Sequence, residues 1–433
     1  MAKKDKKKHV NNFDIENEEK LVIPEDEIWT YRIEGLQAPR IVDKSIKLKT
    51  KIIIVVVLVI AIGLSIFFSV RAVSNKEFKY AETEGGYELI KYSNVDESKE
   101  ITVDFVGGDK SKPVTELHEY AFNCDEKIVT VNLGKDIRKI DGKSFYSCWN
   151  LENVFVDDDN PFYCDIDGVL YDKELTQIIY YPSAHNLALA RNAGYKLDFP
   201  DNGSITGDEF TFAASILNGC LINGTDPAKL EGWEADMLRK LTDLTGISDY
   251  MKFIKDYNDK IGYYVIPSTV TKIGKLAFAY SDVFSVYIPE GVKEIETMGF
   301  FKAEKLRNIY GYKTDAVIPG TVYSEAAASL RAYDSLPDGL EAIGSDAFTY
   351  DRLLTYMFVP ASVKTIGHHA FFETCYKENG NLVGLVRVNV EKQEEAFKDG
   401  TKTGENWLPQ YDSGLFKKSV EAVCGSAREN KSE

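Results

Sequence analysis

A unit of about 23 residues recurs along the chain, and it restricts the possible fold more than any other feature. Aligned on a phenylalanine, copies begin at Leu117, Ser144, Ile273 and Ile343. Phe122 and Phe145 lie 23 residues apart, as do Phe348 and Phe371, whereas Phe278 and Phe300 lie 22 apart. A unit this short cannot bury its apolar face alone, so successive units must stack, and the repeat predicts a solenoid.

Within each unit, apolar residues recur at fixed offsets from the phenylalanine. In the first complete copy they are Ile128, Val131, Leu133, Ile137 and Ile140, and in the last they are Leu354, Met357, Val359, Val363 and Ile366. The L-x-x-V-x-I run alternates as a strand does, and a shorter V-x-x-I-G run supplies a second edge before an Ala-Phe turn. We therefore expect a β-rich solenoid of parallel short strands, with phenylalanine and isoleucine in continuous internal columns.

The repeat resembles the BspA-type leucine-rich repeat, L-x-x-V-x-I-P-x-x-V-x-x-I-G-x-x-A-F-x-x-C. The I-P slot is filled by Ile266-Pro267, Ile288-Pro289 and Val359-Pro360, the I-G slot by Ile273-Gly274, Ile343-Gly344 and Ile366-Gly367, and the C slot by Cys148 and Cys375. The stretch from Asn160 resembles the hairpin-bearing variant unit of this family, with its turn at Asp167-Gly168. The resemblance implies a leucine-rich-repeat solenoid and an adhesin-like surface protein. The sequence departs from the pattern at two places: Cys124 lies one position early in its unit, and residues 312 to 335 carry no clean repeat.

An uncharged, largely apolar segment runs from Ile52 to Val70, between Lys51 and Arg71. Its nineteen residues approach the roughly 20 that a helix needs to cross a bilayer, and it lacks the polar stripe of a buried soluble helix. Roughly fifty residues precede it, which argues against a cleaved signal peptide. We interpret residues 52–70 as one transmembrane helix in contact with the lipid bilayer.

The flanking charges predict the orientation of that helix, because Lys and Arg are retained on the cytoplasmic side. Five cations lie closely before the helix and three closely after it; they are Arg40, Lys44, Lys47, Lys49 and Lys51, and then Arg71, Lys76 and Lys79. The N-terminus is therefore expected in the cytoplasm and the repeats outside, at the cell membrane.

The chain accordingly divides into seven predicted parts. These are a cytoplasmic charged tail (1–51), the transmembrane helix (52–70), a linker and N-cap (71–100), a first repeat block (101–182), a helical insertion (183–262), a second repeat block (263–375), and a C-terminal cap and tail (376–433).

The insertion is predicted to be helical. Asp226-Pro227 resembles a helix start, followed by apolar residues at helical spacing up to Gly246, and Ser248 could cap a second helix. A third helix is predicted from Asp208 to Leu217, ended by Asn218-Gly219. The insertion could be a small bundle packed on the solenoid or a recognition element, and the sequence favours neither.

A column of side chains that point out of the L-x-x-V-x-I strands is the candidate binding site. Its members are Asn132, Phe155, Tyr287, Tyr310 and Phe358. The neighbouring column is polar, and the two columns together would form a mixed groove; the polar members are Thr130, Asn153, Ser285, Asn308 and Tyr356. Stacked exposed rings suit sugar faces or peptide side chains, and aromatic residues are enriched in binding hot spots. Tyr and Phe also favour strands for packing reasons alone, so the column could equally be structural.

Motifs for catalysis, metals and cofactors are not found. The five histidines form no H-E-x-x-H, and the acidic run at Asp157 fails the calcium-loop pattern at Pro161. The six cysteines lack a C-x-x-C pair, so mostly free, buried thiols are expected. After residue 51 the chain carries 40 Lys+Arg against 58 Asp+Glu, and this net charge of −18 disfavours nucleic acid.

These features lead to one principal hypothesis, a single-pass surface protein without enzymatic activity or cofactor that binds an extracellular protein or glycan. The alternative is a structural or signalling envelope protein in which an external solenoid is coupled to a cytoplasmic partner of the tail.

Overall fold

A computed structural model describes the repeat region and the insertion. The described residues are 78–93, 98–122, 127–195, 207–257, 261–313, 331–333, 335–378, 381–385, 388–408, 410–412, 417–419 and 422–424. They all belong to one compact unit, Val70–Glu433. The predicted tail 1–51 and the predicted transmembrane segment 52–70 lie outside the described residues. None of the helices within the described ranges is both long and apolar enough to cross a membrane.

Short strands dominate the described chain. They are β1 (Phe78–Thr83), β2 (Gly86–Tyr92), β3 (Glu100–Val103), β4 (Val114–Leu117), β5 (Thr130–Leu133), β6 (Lys139–Ile140), β7 (Asn153–Val156), β8 (Tyr163–Ile166), β9 (Val169–Asp172), β10 (Gln177–Tyr180), β11 (Tyr263–Val265), β12 (Lys272–Ile273), β13 (Ser285–Pro289), β14 (Glu294–Ile295), β15 (Asn308–Lys313), β16 (Arg331–Tyr333), β17 (Ala342–Ile343), β18 (Phe358–Val359), β19 (Thr365–Ile366), β20 (Cys375–Glu378), β21 (Asn381–Gly384), β22 (Val388–Val390), β23 (Lys402–Thr403), β24 (Gln410–Asp412), β25 (Lys417–Ser419) and β26 (Ala422–Cys424).

Two columns of parallel strands build the solenoid. The L-x-x-V-x-I strands pair as β3-β5-β7, as β11-β13-β15 and as β18-β22-β26. The shorter I-G strands pair as β2-β4-β6 and as β10-β12-β14-β17-β19-β23. Because each strand pairs in register with the equivalent strand of the next coil, the predicted parallel β-rich solenoid is confirmed.

An internal aromatic ladder runs through the coils and confirms the predicted phenylalanine column. It consists of two stacks, one of Phe122, Phe145 and Tyr180, and the other of Tyr181, Phe278, Phe300, Phe348 and Phe371. Neighbouring ring centroids lie 4.8 to 5.5 Å apart. The sequence neighbours Tyr180 and Tyr181 belong to two separate apolar clusters, so the core is divided at this point.

The glycines of the I-G slot allow adjacent coils to approach closely. A Cβ on Gly367 would lie 2.3 Å from the backbone nitrogen of Ser345, and one on Gly344 would lie 2.4 Å from the backbone of Glu296. Such distances are far below van der Waals contact, so only glycine fits without moving the neighbouring coil.

The predicted hairpin is present after the third coil. Strands β8 and β9 are antiparallel and joined by Asp167 and Gly168, both with positive φ. The hairpin joins the sheet of β10 through β9. Two acidic residues of this region have turn roles. Asp165 accepts from the backbone N–H groups of Val156 and Gly168, and Asp157 accepts from the backbone N–H of Asp159.

The insertion contains helices α1 (His185–Asn192), α2 (Gly207–Asn223), α3 (Gly232–Thr245) and α4 (Tyr250–Asp256). Helix α1 was not predicted. Helix α2, predicted to end at Asn218-Gly219, continues to Asn223. Asp226 does not begin α3 but caps a short 3-10 turn at Pro227–Lys229, and α3 begins at Gly232. Helix α4 is capped by Asp249, which accepts from the Lys252 N–H, and not by Ser248 as predicted. Gly246 ends α3 in the left-handed conformation, as expected.

Buried polar contacts attach the insertion to the coils. The Asn186 amide donates to the Tyr257 hydroxyl at 2.9 Å and to the Asp282 carbonyl at 2.7 Å, and it accepts from the Tyr181 hydroxyl. Arg191 forms a bidentate ion pair with the buried carboxylate of Glu152. Desolvation raises the pKa of Glu152, and the Arg191 guanidinium offsets this shift in part.

The sheets extend beyond the predicted repeat blocks. Strand β2 already pairs in parallel with β4, and strands β22 and β23 add a further coil after residue 375, with helix α5 (Glu394–Gly400) between them. Five cysteines lie in described residues and all are free; Cys148, Cys220 and Cys375 are buried, and Cys164 and Cys424 are half-buried. Thr374, and not Cys375, lies three residues after the ladder phenylalanine Phe371, so Cys375 falls one place beyond the predicted slot.

Candidate functional site

The outer face of β13 and β15 brings together two of the predicted aromatic residues. Tyr287 and Tyr310 occupy equivalent register positions on the paired parallel strands. Their rings stack with centroids 4.8 Å apart and planes 29° apart. Both side chains are half-buried, so each ring is packed by its neighbour and still keeps accessible surface.

A third tyrosine completes this group from the preceding strand. Tyr263 on β11 lies edge-on to Tyr287, with centroids 6.0 Å apart. Tyr263 occupies the same register position as Ser285 and Asn308. The sequence interpretation missed Tyr263 because it occupies a position of the polar column, where Ser285 and Asn308 stand in the next two coils.

These tyrosines line a cleft of about 320 Å³, here called the tyrosine cleft. Its walls are Asn218, Gly262, Tyr263, Phe284, Ser285, Tyr287, Asn308 and Tyr310. The Asn308 amide donates to the Ser285 hydroxyl at 3.3 Å, so two predicted polar positions are held in one arrangement. None of these eight lining residues carries a charged side chain, so the cleft offers aromatic surface together with neutral hydrogen-bonding groups.

The insertion supplies one wall of the cleft. Asn218 lies on α2, and Arg307, next to Asn308, donates to the Ser215 hydroxyl of the same helix at 2.8 Å. The Arg307 guanidinium also lies 5.6 Å from the centre of the Phe284 ring. Contacts between helix and coil thus position Asn218 beside the tyrosines, a role that the helical pattern alone did not indicate.

The first-block residues of the predicted column lie in a separate sheet. Phe155 on β7 is 41% exposed and shares its register position with Asn132 on β5. The Asn132 amide donates to the Glu100 carboxylate at 2.8 Å, and the Asn153 side chain packs against Gly168 of the hairpin turn. Because the hairpin follows β7, sheet β3-β5-β7 and sheet β11-β13-β15 are not paired, and the expected continuous groove is interrupted there.

Phe358 is not an exposed member of the column. Its side chain is only 1% exposed. Strand β15 pairs with β16 and not with β18, and the backbone N–H of Leu336 donates to the Phe358 carbonyl. Phe358 therefore does not continue the Tyr287–Tyr310 stack, and the prediction that it contributes to an open groove is wrong. Tyr356 is half-buried and precedes the start of β18.

In the described ranges, no three His, Cys, Asp or Glu side chains come together in a way that could hold a metal ion. Burial perturbs several groups away from the cleft. Desolvation lowers the pKa of His185 to about 4, and its Nδ1 lies 2.8 Å from the Glu152 carbonyl. His185 is fully enclosed between α1 and the first block, so we assign it a structural role.

Two columns of parallel strands, one of them built from the short I-G strands, and an internal phenylalanine ladder define a leucine-rich repeat protein with units of about 23 residues. The BspA type leucine rich repeat region matches residues 61–180 and 253–379 in six copies, which together make up more than half of the chain. The chain belongs to the BspA-type leucine-rich repeat family.

Several solved bacterial structures are similar to this chain. The pneumococcal vaccine antigen PcpA is 17% identical, with 73% of this chain and 57% of that chain covered and a TM-score of 0.39. A leucine-rich repeat protein from Bacteroides ovatus is 13% identical, with 80% and 75% covered and a TM-score of 0.32. A leucine rich cell surface protein from Faecalibacterium prausnitzii is 13% identical, with 81% and 97% covered and a TM-score of 0.25. No curated protein matches the chain.

Proposed function

We propose that this chain is a recognition protein displayed at the cell surface, and that the tyrosine cleft holds its ligand. BspA-type leucine-rich repeat proteins are surface proteins with adhesion or protein-interaction roles. The observation that carries the proposal is the stack of Tyr287 on Tyr310 within a cleft of about 320 Å³. Small-molecule sites combine such aromatic walls with a few placed polar groups.

A neutral glycan fits the chemistry of this cleft best. Flat aromatic faces pack against the C–H surface of a sugar ring, while Ser285, Asn308 and Asn218 offer hydroxyl and amide groups to its hydroxyls. A charged peptide would find no counter-ion among the eight lining residues. The alternative is a protein ligand, and the experiment must distinguish it from a glycan.

The test presents the full-length chain, purified in detergent micelles, to arrays of neutral glycans and of extracellular matrix proteins. A double variant, Tyr287→Ser with Tyr310→Ser, is expected to lose at least about tenfold in affinity for the bound glycan. The matched control is Phe162→Ser, which removes an exposed ring in the first block. Equal binding by all three chains would refute the cleft as the site, and binding to matrix proteins alone would replace the glycan by a protein ligand.

Anchoring forms the second part of the proposal. The apolar run 52–70 would cross the membrane once, with residues 1–51 in the cytoplasm and the solenoid outside. Trypsin added to intact cells should then degrade the repeat region while an N-terminal tag on residue 1 stays protected. A protected repeat region on intact cells, with cleavage only after lysis, would refute this topology.

A further inference from the structure

A second set of aromatic side chains lines the turns of the solenoid, separate from the buried ladder. Its members, here called the aromatic ridge, are Tyr120, Tyr146, Tyr280, Phe301, Tyr350 and Phe372. Successive rings meet edge to face, with centroids 5.2 to 6.4 Å apart. Tyr120 is exposed and the others are half-buried, so the ridge presents ring surface across both repeat blocks.

Cations lie over the faces of these rings. Lys143 lies 5.2 Å from the Tyr120 ring centre, and Arg352 lies 5.5 Å from that of Tyr350. Both also pair with carboxylates, Lys143 with Glu119 at 3.1 Å and Arg352 with Glu373 at 3.8 Å.

Lys302 differs from these two cations. Its ammonium lies between the Tyr280 and Tyr350 rings, 5.7 Å and 5.2 Å from their centres. Within the part of the chain that the structure describes, it forms no ion pair with a carboxylate. A cation held on aromatic faces without a counter-ion attracts an anion from solution.

A pocket of about 320 Å³ opens beside Lys302. Trp149 stands perpendicular to Tyr280 in this pocket, with centroids 4.7 Å apart, and is 40% exposed. The two rings thus form a corner with accessible indole surface.

Two acidic residues also line the pocket. The buried Asp282 carboxylate accepts from the Asn186 backbone N–H at 3.2 Å and is thus held by α1, while Glu304 is exposed. Both carboxylates oppose an anionic ligand, and Lys302 and Lys305, which also line the pocket, supply two positive charges against them.

We propose that this pocket binds an acidic sugar residue, of the hexuronate type, within a polysaccharide. The sugar ring packs on Trp149 and Tyr280, and its carboxylate pairs with the Lys302 ammonium. The size of the pocket matches a compact ligand unit, whereas a protein partner needs roughly 800 Å² of contact surface on each side. The site is independent of the tyrosine cleft.

The test titrates the full-length chain in detergent micelles with oligogalacturonate and, in parallel, with the uncharged galactose oligomer of equal length. Saturable binding is expected for the acidic oligomer alone. Lys302→Gln and Trp149→Ala should each weaken it at least about tenfold, while Glu304→Gln strengthens it. Lys302→Arg should retain binding, which separates loss of charge from damage to the fold.

Two controls complete the design. Lys135→Gln removes an exposed lysine of the first block, and the Tyr287→Ser, Tyr310→Ser double variant removes the tyrosine cleft; neither should change oligogalacturonate binding. Equal binding of acidic and uncharged oligomers, or unchanged binding by Lys302→Gln, would overturn the proposal. Tighter binding of oligoglutamate through the same residues would also overturn it, in favour of an acidic peptide.

Discussion

The ring of Phe300 stacks on the ring of Phe348, with centroids 5.2 Å apart and planes 8° apart, although residues 301–347 separate them in the chain. Phe348 and Phe371, one repeat apart, stack at nearly the same distance of 5.3 Å. The ladder therefore continues without a gap past the stretch 312–335, which has no clean repeat. Its spacing follows from the roughly 4.8 Å separation of paired strands.

Removing one ladder ring should destabilise the whole repeat region. Phe348→Ala leaves a cavity between two stacked phenylalanines, and we expect it to lower the free energy of unfolding by about 3 to 5 kcal/mol. Phe155→Ala, at an exposed ring, should lower it by less than about 1 kcal/mol. Urea denaturation followed by circular dichroism measures both, and similar losses in the two variants would contradict a ladder role for Phe348.

The second prediction concerns Asp351, a buried carboxyl in a column of small neutral residues such as Ser281 and Thr374. Neither carboxyl oxygen has a well-formed hydrogen bond in the described residues, and desolvation raises its pKa well above the usual range. Asp351→Thr should raise the free energy of unfolding at pH 7 by about 1 to 3 kcal/mol.

The sign of the pH dependence at Asp351 follows from that raised pKa. The folded state retains the proton while the unfolded state releases it, so wild-type stability is lost as pH rises above the unfolded value near 3.8. The gain from Asp351→Thr should therefore shrink between pH 7 and pH 4. A gain that is constant with pH, or Asp158→Asn acting equally, would disprove the explanation.

Acid sensitivity should arise in part from His185. Its pKa is lowered from 6.5 to about 4 in the folded state, mainly by desolvation, so its contribution to stability is present above pH 6.5 and is lost as pH falls toward 4. This shift corresponds to at most about 3 kcal/mol. His185→Gln can keep the contact with the Glu152 carbonyl without titrating, and it should lose less stability than wild type between pH 7 and pH 4.5.

The raised pKa of Glu152, which contacts the same helix, acts with the opposite sign. Glu152 is present in both wild type and His185→Gln, so its contribution cancels when the pH dependence of their stabilities is compared. Urea denaturation of both proteins at the two pH values provides the measurement. Parallel loss of stability in both would show that His185 is not the titrating group.

Close contact between coils makes Gly367 irreplaceable. Gly367→Ala places a methyl group 2.3 Å from the Ser345 backbone nitrogen and should lower the free energy of unfolding by about 1 to 3 kcal/mol or more. At Gly400 a Cβ would meet only the Lys392 ammonium, at 3.9 Å, so Gly400→Ala is the matched control and should change little. Thermal unfolding of the two variants compares them directly, and equal melting temperatures would contradict the close approach.

Local sequence was sufficient for the repeating parts of the molecule. The ladder was predicted from the spacing of its phenylalanines, Phe122, Phe145, Phe278, Phe300, Phe348 and Phe371. The hairpin turn at Asp167-Gly168 was predicted from the resemblance to the family's variant unit. Each of these features depends on residues within one unit, or on the requirement that identical units bury each other. Three of the four helices described in the insertion were predicted from apolar spacing and α1 was not, and the helix ends shifted where capping depended on residues such as Asp249.

The site itself depended on contacts between distant segments. Tyr287 and Tyr310 were found from the repeat, because equivalent positions of successive coils must stack. The wall formed by Asn218, the burial of Phe358 and the separation of Phe155 from the tyrosines required the tertiary structure. Periodicity determines which face of a strand points outward, whereas packing of the hairpin, the insertion and the neighbouring coil decides whether that face remains open.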